Sequence, residues 1–132
     1  MDELPAGKYV TMIYGVLDPV QRTLTFANAG HPWPLPVDGD GARPIPTREG
    51  LPLGLSPSKY SEETVTLTPG ARLLFYSDGI TEASNGREDF GTDRLISHLS
   101  RPDASAETLL GEVRAFCRSS FADDATVILL HA

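Results

Sequence analysis

Cysteine is nearly absent from this chain: Cys117 is the single one in 132 residues. No internal disulfide can therefore staple the fold, and a reducing, cytoplasmic setting fits better than an extracellular one. Basic residues are also few, with 11 Lys and Arg against 18 Asp and Glu, and they form no run. The net charge of −7 and pI near 4.8 exclude a protein that grips nucleic-acid phosphates through clustered cations. Long apolar runs are missing as well, since no segment approaches the roughly 20 apolar residues of a membrane span. The opening Met1-Asp-Glu-Leu-Pro5 lacks the basic and apolar regions of a secretory leader. There is no internal repeat, low-complexity tract or shift in composition, so the length predicts one domain over residues 1–132 with a core of ordinary size.

What the chain does have is strand-forming sequence first and helix-forming sequence later. Residues 9–17 and 23–29 are rich in β-branched and aromatic side chains, and Asp18-Pro-Val-Gln-Arg22 between them predicts an antiparallel hairpin with Pro19 in its turn. In the first run Val10, Met12, Tyr14 and Val16 alternate with Tyr9, Ile13 and Leu17. Both faces are apolar, which predicts a central strand covered on both sides. After Leu35-Pro-Val37, the stretch Asp38-Gly-Asp-Gly41 marks a tight turn, and Pro44, Pro46 and Gly50 predict an irregular crossing to residues 51–55. Residues 64–67 and 73–77, joined through Thr68-Pro-Gly70, read as a second hairpin. Two helices follow. Thr92 is a candidate cap for the first, with Leu95, Ile96 and Leu99 inward; the second carries Leu109, Leu110, Val113, Phe116 and Cys117 on one stripe, Cys117 as a small buried hydrophobe. A strand over 126–130 closes a pattern of α+β class, an antiparallel sheet system with helices packed on it.

Two acids stand at the ends of core strands: Asp78 after Ala71-Arg-Leu-Leu-Phe-Tyr-Ser77, and Asp123 before Asp124-Ala-Thr-Val-Ile-Leu-Leu130. A carboxylate there is costly to desolvate unless it is paired, hydrogen-bonded or bound to a cation, so two such acids facing one cleft suit Mg²⁺ or Mn²⁺. Metal-assisted hydrolysis is the chemistry this predicts. Other candidates are weaker. Asp38, Asp40 and Glu49 have the spacing of a calcium loop, but Ala42 and Arg43 stand where that loop needs an oxygen ligand and a glycine. Neither Ser56 nor Ser77 lies in a Gly-x-Ser-x-Gly elbow. His98 and His131 are expected on a helix surface and at the chain end, and Trp33, between two prolines, as a packing anchor.

The segments Ala27-Asn-Ala-Gly-His-Pro32, Pro52-Leu-Gly-Leu55, Leu74-Phe-Tyr-Ser-Asp-Gly-Ile-Thr-Glu82, Phe90-Gly91 and Asp123-Asp-Ala-Thr126 occur in the order seen in bacterial PPM phosphatases. From about Tyr9 onward the chain resembles the stage II sporulation protein E and RsbU branch of these metal-dependent serine/threonine phosphatases. The resemblance implies an antiparallel β-sandwich flanked by helices, with a binuclear Mn²⁺ or Mg²⁺ centre whose ions lie roughly 3.5–4 Å apart. It implies a phosphorylated regulatory protein as substrate, in relatives often an anti-sigma-factor antagonist, and no covalent nucleophile from the chain. Asp78 and Asp123 match the family's metal ligands. Asp124 points away from Asp123 if the strand start is regular, so it and His31 are candidates to contact the site without ligating, each with a plainer role in capping or backbone satisfaction. Asn28 and Gly30 suit the turn, and Glu82 suits equally a first helical turn or a contact to the metal ligands from behind.

The family's upstream Gly-Asp-Val-x-Gly-His-Gly segment, which supplies a bridging aspartate, has no counterpart in residues 1–8. The chain therefore reads as a partial phosphatase domain lacking its N-terminal part, with an incomplete metal centre and weak or no activity in isolation. An exposed sheet edge and self-association, or a complex with the missing part, are expected. The alternative function is a non-catalytic regulatory or interaction module built on the same fold.

Overall fold

A computed structural model of the chain describes residues 8, 10–32, 34–38, 41–42, 53, 60–117 and 124–131. Trp33, Asp40, Glu49 and Asp123 lie outside the described residues, and with them most of the expected crossing over 44–55. The elements are β1 (Met12–Asp18), β2 (Thr23–Ala29), β3 (Leu35–Asp38), β4 (Gly41–Ala42), β5 (Glu62–Thr66), β6 (Arg72–Tyr76), α1 (Asp78–Thr81), α2 (Gly91–Leu99), α3 (Ala106–Cys117) and β7 (Val127–His131). They form two compact units, each drawn from two separate stretches of chain: Met1–Trp33 with Pro46–Thr68, and Pro34–Ile45 with Pro69–Ala132.

The first unit holds an antiparallel sheet in the order β1-β2-β5. The β1–β2 hairpin forms as expected, with Met12 opposite Ala29 and Asp18 opposite Thr23. Its turn is held by the Asp18 carboxylate, whose Oδ1 accepts the N–H groups of Val20 and Gln21 at 3.0 Å each. Arg22 takes the left-handed φ of 56° that the tight reversal requires. The side chains of Leu24 and Phe26 are buried, whereas Met12, Tyr14 and Val16 on the opposite face are exposed. The expectation of a central first strand is thus wrong among the described residues. β2 occupies the centre and β1 the edge, because β5 returns from much later in the chain to pair with β2, Thr23 facing Thr66.

The second unit holds the antiparallel order β4-β3-β6-β7. The hairpin expected across Thr68-Pro-Gly70 is absent: β5 and β6 lie in different sheets, and the turn carries the chain from one to the other. Local turn chemistry, with Gly70 at φ 82°, is the same in either case. β6 is flanked by β3 (Leu35 opposite Leu74) and β7 (Leu74 opposite Leu129). One face of this sheet meets the helices. Leu35, Val37, Leu74 and Tyr76 pack with Ile80, Phe90, Leu95, Leu99, Leu109 and Val113, every one buried. Each such side chain contributes about 1.5–3 kcal/mol of transfer free energy. Phe90 also meets Phe116 edge to face at a centroid distance of 5.5 Å, and the Arg94 guanidinium lies 4.6 Å over the Phe116 ring. Arg72, on the same sheet face, donates to the Ala104 carbonyl at 2.7 Å and so ties the strand to the turn before α3.

Two helix details differ from expectation. Thr92 lies inside α2, whose N-cap is Phe90 with no side-chain cap bond, because Gly91 at φ 78° makes the entry turn instead. His98 is buried rather than on a surface, since it follows Leu95 by three positions and shares that inward stripe. Its ring joins α2 to α3, with Nδ1 against the Glu112 carboxylate and Nε2 3.0 Å from Thr108 Oγ1. Cys117 is half-buried, less enclosed than the helical stripe implied.

Candidate functional site

The ladder between β6 and β7 runs to Tyr76 opposite Val127 and changes character at Ser77. The Ser77 N–H still donates to the Thr126 carbonyl at 3.0 Å, but its own carbonyl turns away to accept the Ile80 N–H at 3.0 Å and so starts α1. The ladder partner left over is the Thr126 N–H, and the Ser77 hydroxyl accepts it at 2.9 Å. The same Oγ lies 3.5 Å from the Asp124 carbonyl, to which it donates. Strand therefore passes into helix within one residue while the Thr126 N–H keeps an acceptor. Ser77 makes no cap bond into α1 because its oxygen is already engaged across the sheet.

Asp78 follows as the first residue of α1, with its side chain exposed. A carboxylate in a first helical turn is favoured by the exposed N–H groups there. Directly beneath it Tyr76 is buried, and its phenol is pushed above the ordinary value of 10.0 chiefly by burial and secondly by the negative charge of Asp78. Gly79 is buried against the other acidic segment: a Cβ at this position would stand 2.1 Å from the Asp124 carbonyl oxygen and 3.1 Å from the Ala125 Cα. Only glycine permits that approach. Asp124 is exposed, and it immediately follows Asp123 in the chain.

Asp78 and the segment after Asp123 are thus brought together in the second unit by one serine, one glycine and the β6–β7 ladder. His31 belongs to the first unit. The Asn28 side chain, buried at the end of β2, accepts the His31 N–H at 2.8 Å and donates to the His31 carbonyl at 2.9 Å. The His31 ring sits 3.2 Å from the Pro32 carbonyl, and Gly30 at φ 70° makes the turn. The His31 backbone is thus satisfied by Asn28 at a turn made by Gly30. Glu82 is the C-cap of α1 rather than a first-turn acid, since the helix is four residues long. The sequence signal for Gly79 is a glycine directly after a strand-end acid, which marks close backbone approach.

Oxygen donors such as Asp78 fit a hard divalent cation in kind. In number they fall short among the described residues, where no group of three His, Cys, Asp or Glu side chains could hold a metal ion.

The profile of the family "Stage II sporulation protein E (SpoIIE)" matches residues 1–132. Phosphoserine phosphatase RsbP of Bacillus subtilis is 30% identical over 100 residues, which cover 75% of this chain and 24% of that protein. The PP2C phosphatase domain and regulatory fragment of SpoIIE from Bacillus subtilis superposes with a TM-score of 0.77 at 21% identity, over 92% of this chain and 39% of that one. A manganese-presoaked structure of the same phosphatase domain gives a TM-score of 0.72 at 20% identity, over 92% and 55%. The RsbU and RsbW domains of a Mycobacterium tuberculosis protein give 0.74 at 28% identity, over 98% and 38%. The chain therefore has the antiparallel sheets and helices of a PP2C phosphatase domain and spans well under two thirds of each of these proteins.

Proposed function

We propose, for a chain that belongs to the stage II sporulation protein E family, that it forms part of a PP2C-type domain that hydrolyses phosphoserine or phosphothreonine in a regulatory protein. The observation that carries this is the placement of Asp78: an exposed carboxylate at the strand-to-helix junction, between Ser77 and Gly79, both of which meet the backbone of the segment that follows Asp123. Asp78 and Asp123 are the residues that would hold Mn²⁺ or Mg²⁺, in a binuclear centre completed by ligands beyond the described residues. The cation would supply Lewis acidity toward a phosphate ester and lower the pKa of water. The chain's own contribution is geometric and electrostatic. β6 fixes Asp78 from behind, Ser77 and Gly79 fix the neighbouring segment, and the exposed setting leaves the carboxylate open to a charged ligand.

The name of RsbP supports a phosphoserine protein as substrate, and an anti-sigma-factor antagonist is the class we favour. No helix among the described residues is long and apolar enough to cross a membrane, and we place the activity in the cytoplasm. Among the described residues β1 is an edge strand, and this supports self-association or covering by further sequence. A second reading, a non-catalytic interaction module, is favoured by the shortage of clustered ligands among the described residues.

The deciding experiment measures phosphate release from a phosphoserine peptide by the full-length protein in Mn²⁺, for wild type and Asp78→Asn. Loss of roughly 10²-fold or more is expected, the scale seen when a group stabilising transition-state charge is removed. Turnover unchanged by the substitution would refute the assignment of Asp78, and wild-type protein without turnover would favour the interaction module.

A further inference from the structure

We infer that Ser77 and Gly79 are positioning residues for the acid pair, acting through the backbone of Asp124–Thr126 rather than through contact with a cation or substrate; this rests on the proposed phosphatase function. In an uninterrupted antiparallel ladder, the Ser77 carbonyl would accept the Thr126 N–H. Here that carbonyl is used by Ile80, and the Ser77 hydroxyl stands in as the acceptor. The substitution lets the chain turn out of the sheet at Asp78 while Thr126 stays in register. The hydroxyl hydrogen then points to the Asp124 carbonyl at 3.5 Å, so one side chain spans both ends of the Asp124–Thr126 segment.

Gly79 acts on the same segment from α1. Its Cα side is filled by the Asp124 carbonyl, 2.1 Å from where a Cβ would be and well under any real contact distance. An added methyl group must push Asp124 away from α1, and Asp123 is covalently the next residue back. Asp78 lies between the two, so the three consecutive residues Ser77, Asp78 and Gly79 comprise a displayed acid and, on each side of it, a fastener to the second acidic segment. Neither fastener is charged and neither donates to a cation. Neither belongs to the buried cluster, and each is expected to alter affinity by displacing the Asp124–Thr126 backbone relative to Asp78.

The test uses the full-length protein as wild type, Ser77→Ala, Ser77→Thr, Gly79→Ala and Asp78→Asn. Three quantities are read: Mn²⁺ affinity by calorimetry, thermal midpoint without metal, and hydrogen exchange of the Thr126 amide without metal. Ser77→Ala is expected to weaken Mn²⁺ binding by roughly 10–100-fold, the usual effect of losing a group that orients metal ligands. It should also speed Thr126 exchange, and Ser77→Thr, which keeps the hydroxyl, should restore both. Gly79→Ala should weaken Mn²⁺ binding in the same range with a cooperative thermal transition retained. Wild-type affinity and Thr126 protection in Ser77→Ala, alongside lost binding in Asp78→Asn, would overturn the positioning role alone. Mn²⁺ binding that ignores Asp78→Asn, or its absence from wild type, would overturn the site and this inference together.

Discussion

Cutting the Glu112 side chain back to alanine should expose what the buried histidine between α2 and α3 contributes. The His98 side chain is 1% exposed and that of Glu112 is 43% exposed, so the two partners lose differently. A carboxylate only accepts hydrogen bonds, so the His98 Nδ1 is the donor in this contact. Glu112→Ala therefore leaves a buried N–H without an acceptor, a loss of about 1–3 kcal/mol. The electrostatic share must be discounted for the solvent reaching Glu112, which brings the expected value to about 1–2 kcal/mol. His98→Ala works the other way. Glu112 can turn to water, and Thr108 Oγ1 keeps the Ser105 N–H at 2.8 Å, so no orphan is created. What is lost is the ring itself, and the resulting void beside Leu95 and Leu99 should cost about 2–4 kcal/mol. Urea unfolding is the assay, since a lower midpoint at unchanged slope reports stability alone. Glu112→Gln, which keeps an acceptor oxygen, should recover more than half of the loss. A Glu112→Ala protein within about 0.5 kcal/mol of wild type, the ordinary spread of surface substitutions, would show that the clasp does not hold the helices.

Tyr76 gives a pH prediction. Its phenol binds its proton more tightly in the folded chain than the ordinary value of 10.0 implies, so above pH 10 the unfolded chain loses that proton first and stability falls as pH rises. Below pH 10 the contribution is fully present, and Tyr76→Phe should flatten this alkaline limb in urea midpoints; an unchanged limb would refute it. Asp78→Asn should bring the Tyr76 titration partway back toward the ordinary value, leaving the larger effect of burial, as followed by phenolate absorbance. At the edge of the first unit, Tyr14 and Val16 are 66% and 60% exposed on β1. Val16→Lys should lower any sedimentation-detected self-association by charging that edge, and a wild-type protein that stays monomeric at every concentration would dismiss edge pairing.

The sequence identified what is local. β2 appears over the expected residues because Leu24 and Phe26 alternate with polar neighbours, and α3 follows its Leu109 and Val113 stripe. Pairing across long separations was less legible. Thr68-Pro-Gly70 has the composition of a hairpin turn, yet which strand β5 joins is decided by β2, about forty positions earlier. β1 looked central because its apolar residues occupy both faces, a pattern that also arises at an edge awaiting a partner. The first acid was legible from strand-end placement. Its fastening was not, because a hydroxyl that replaces a carbonyl in the ladder leaves no periodic trace. His98 could have been found by noticing that it shares the spacing of Leu95 and Leu99.

The way the two units share the chain limits how the domain can be altered. Each is assembled from a stretch on either side of the other, with the path changing units near residues 33, 45 and 68. A contiguous fragment that encodes one sheet whole also carries strands of the other: residues 1–68 include β3 and β4, and residues 34–132 include β5. A cut at residue 33 or 68 therefore separates one whole sheet together with orphaned strands of the other, β5 travelling with the elements that display Asp78 and β3 and β4 with the β1–β2 hairpin.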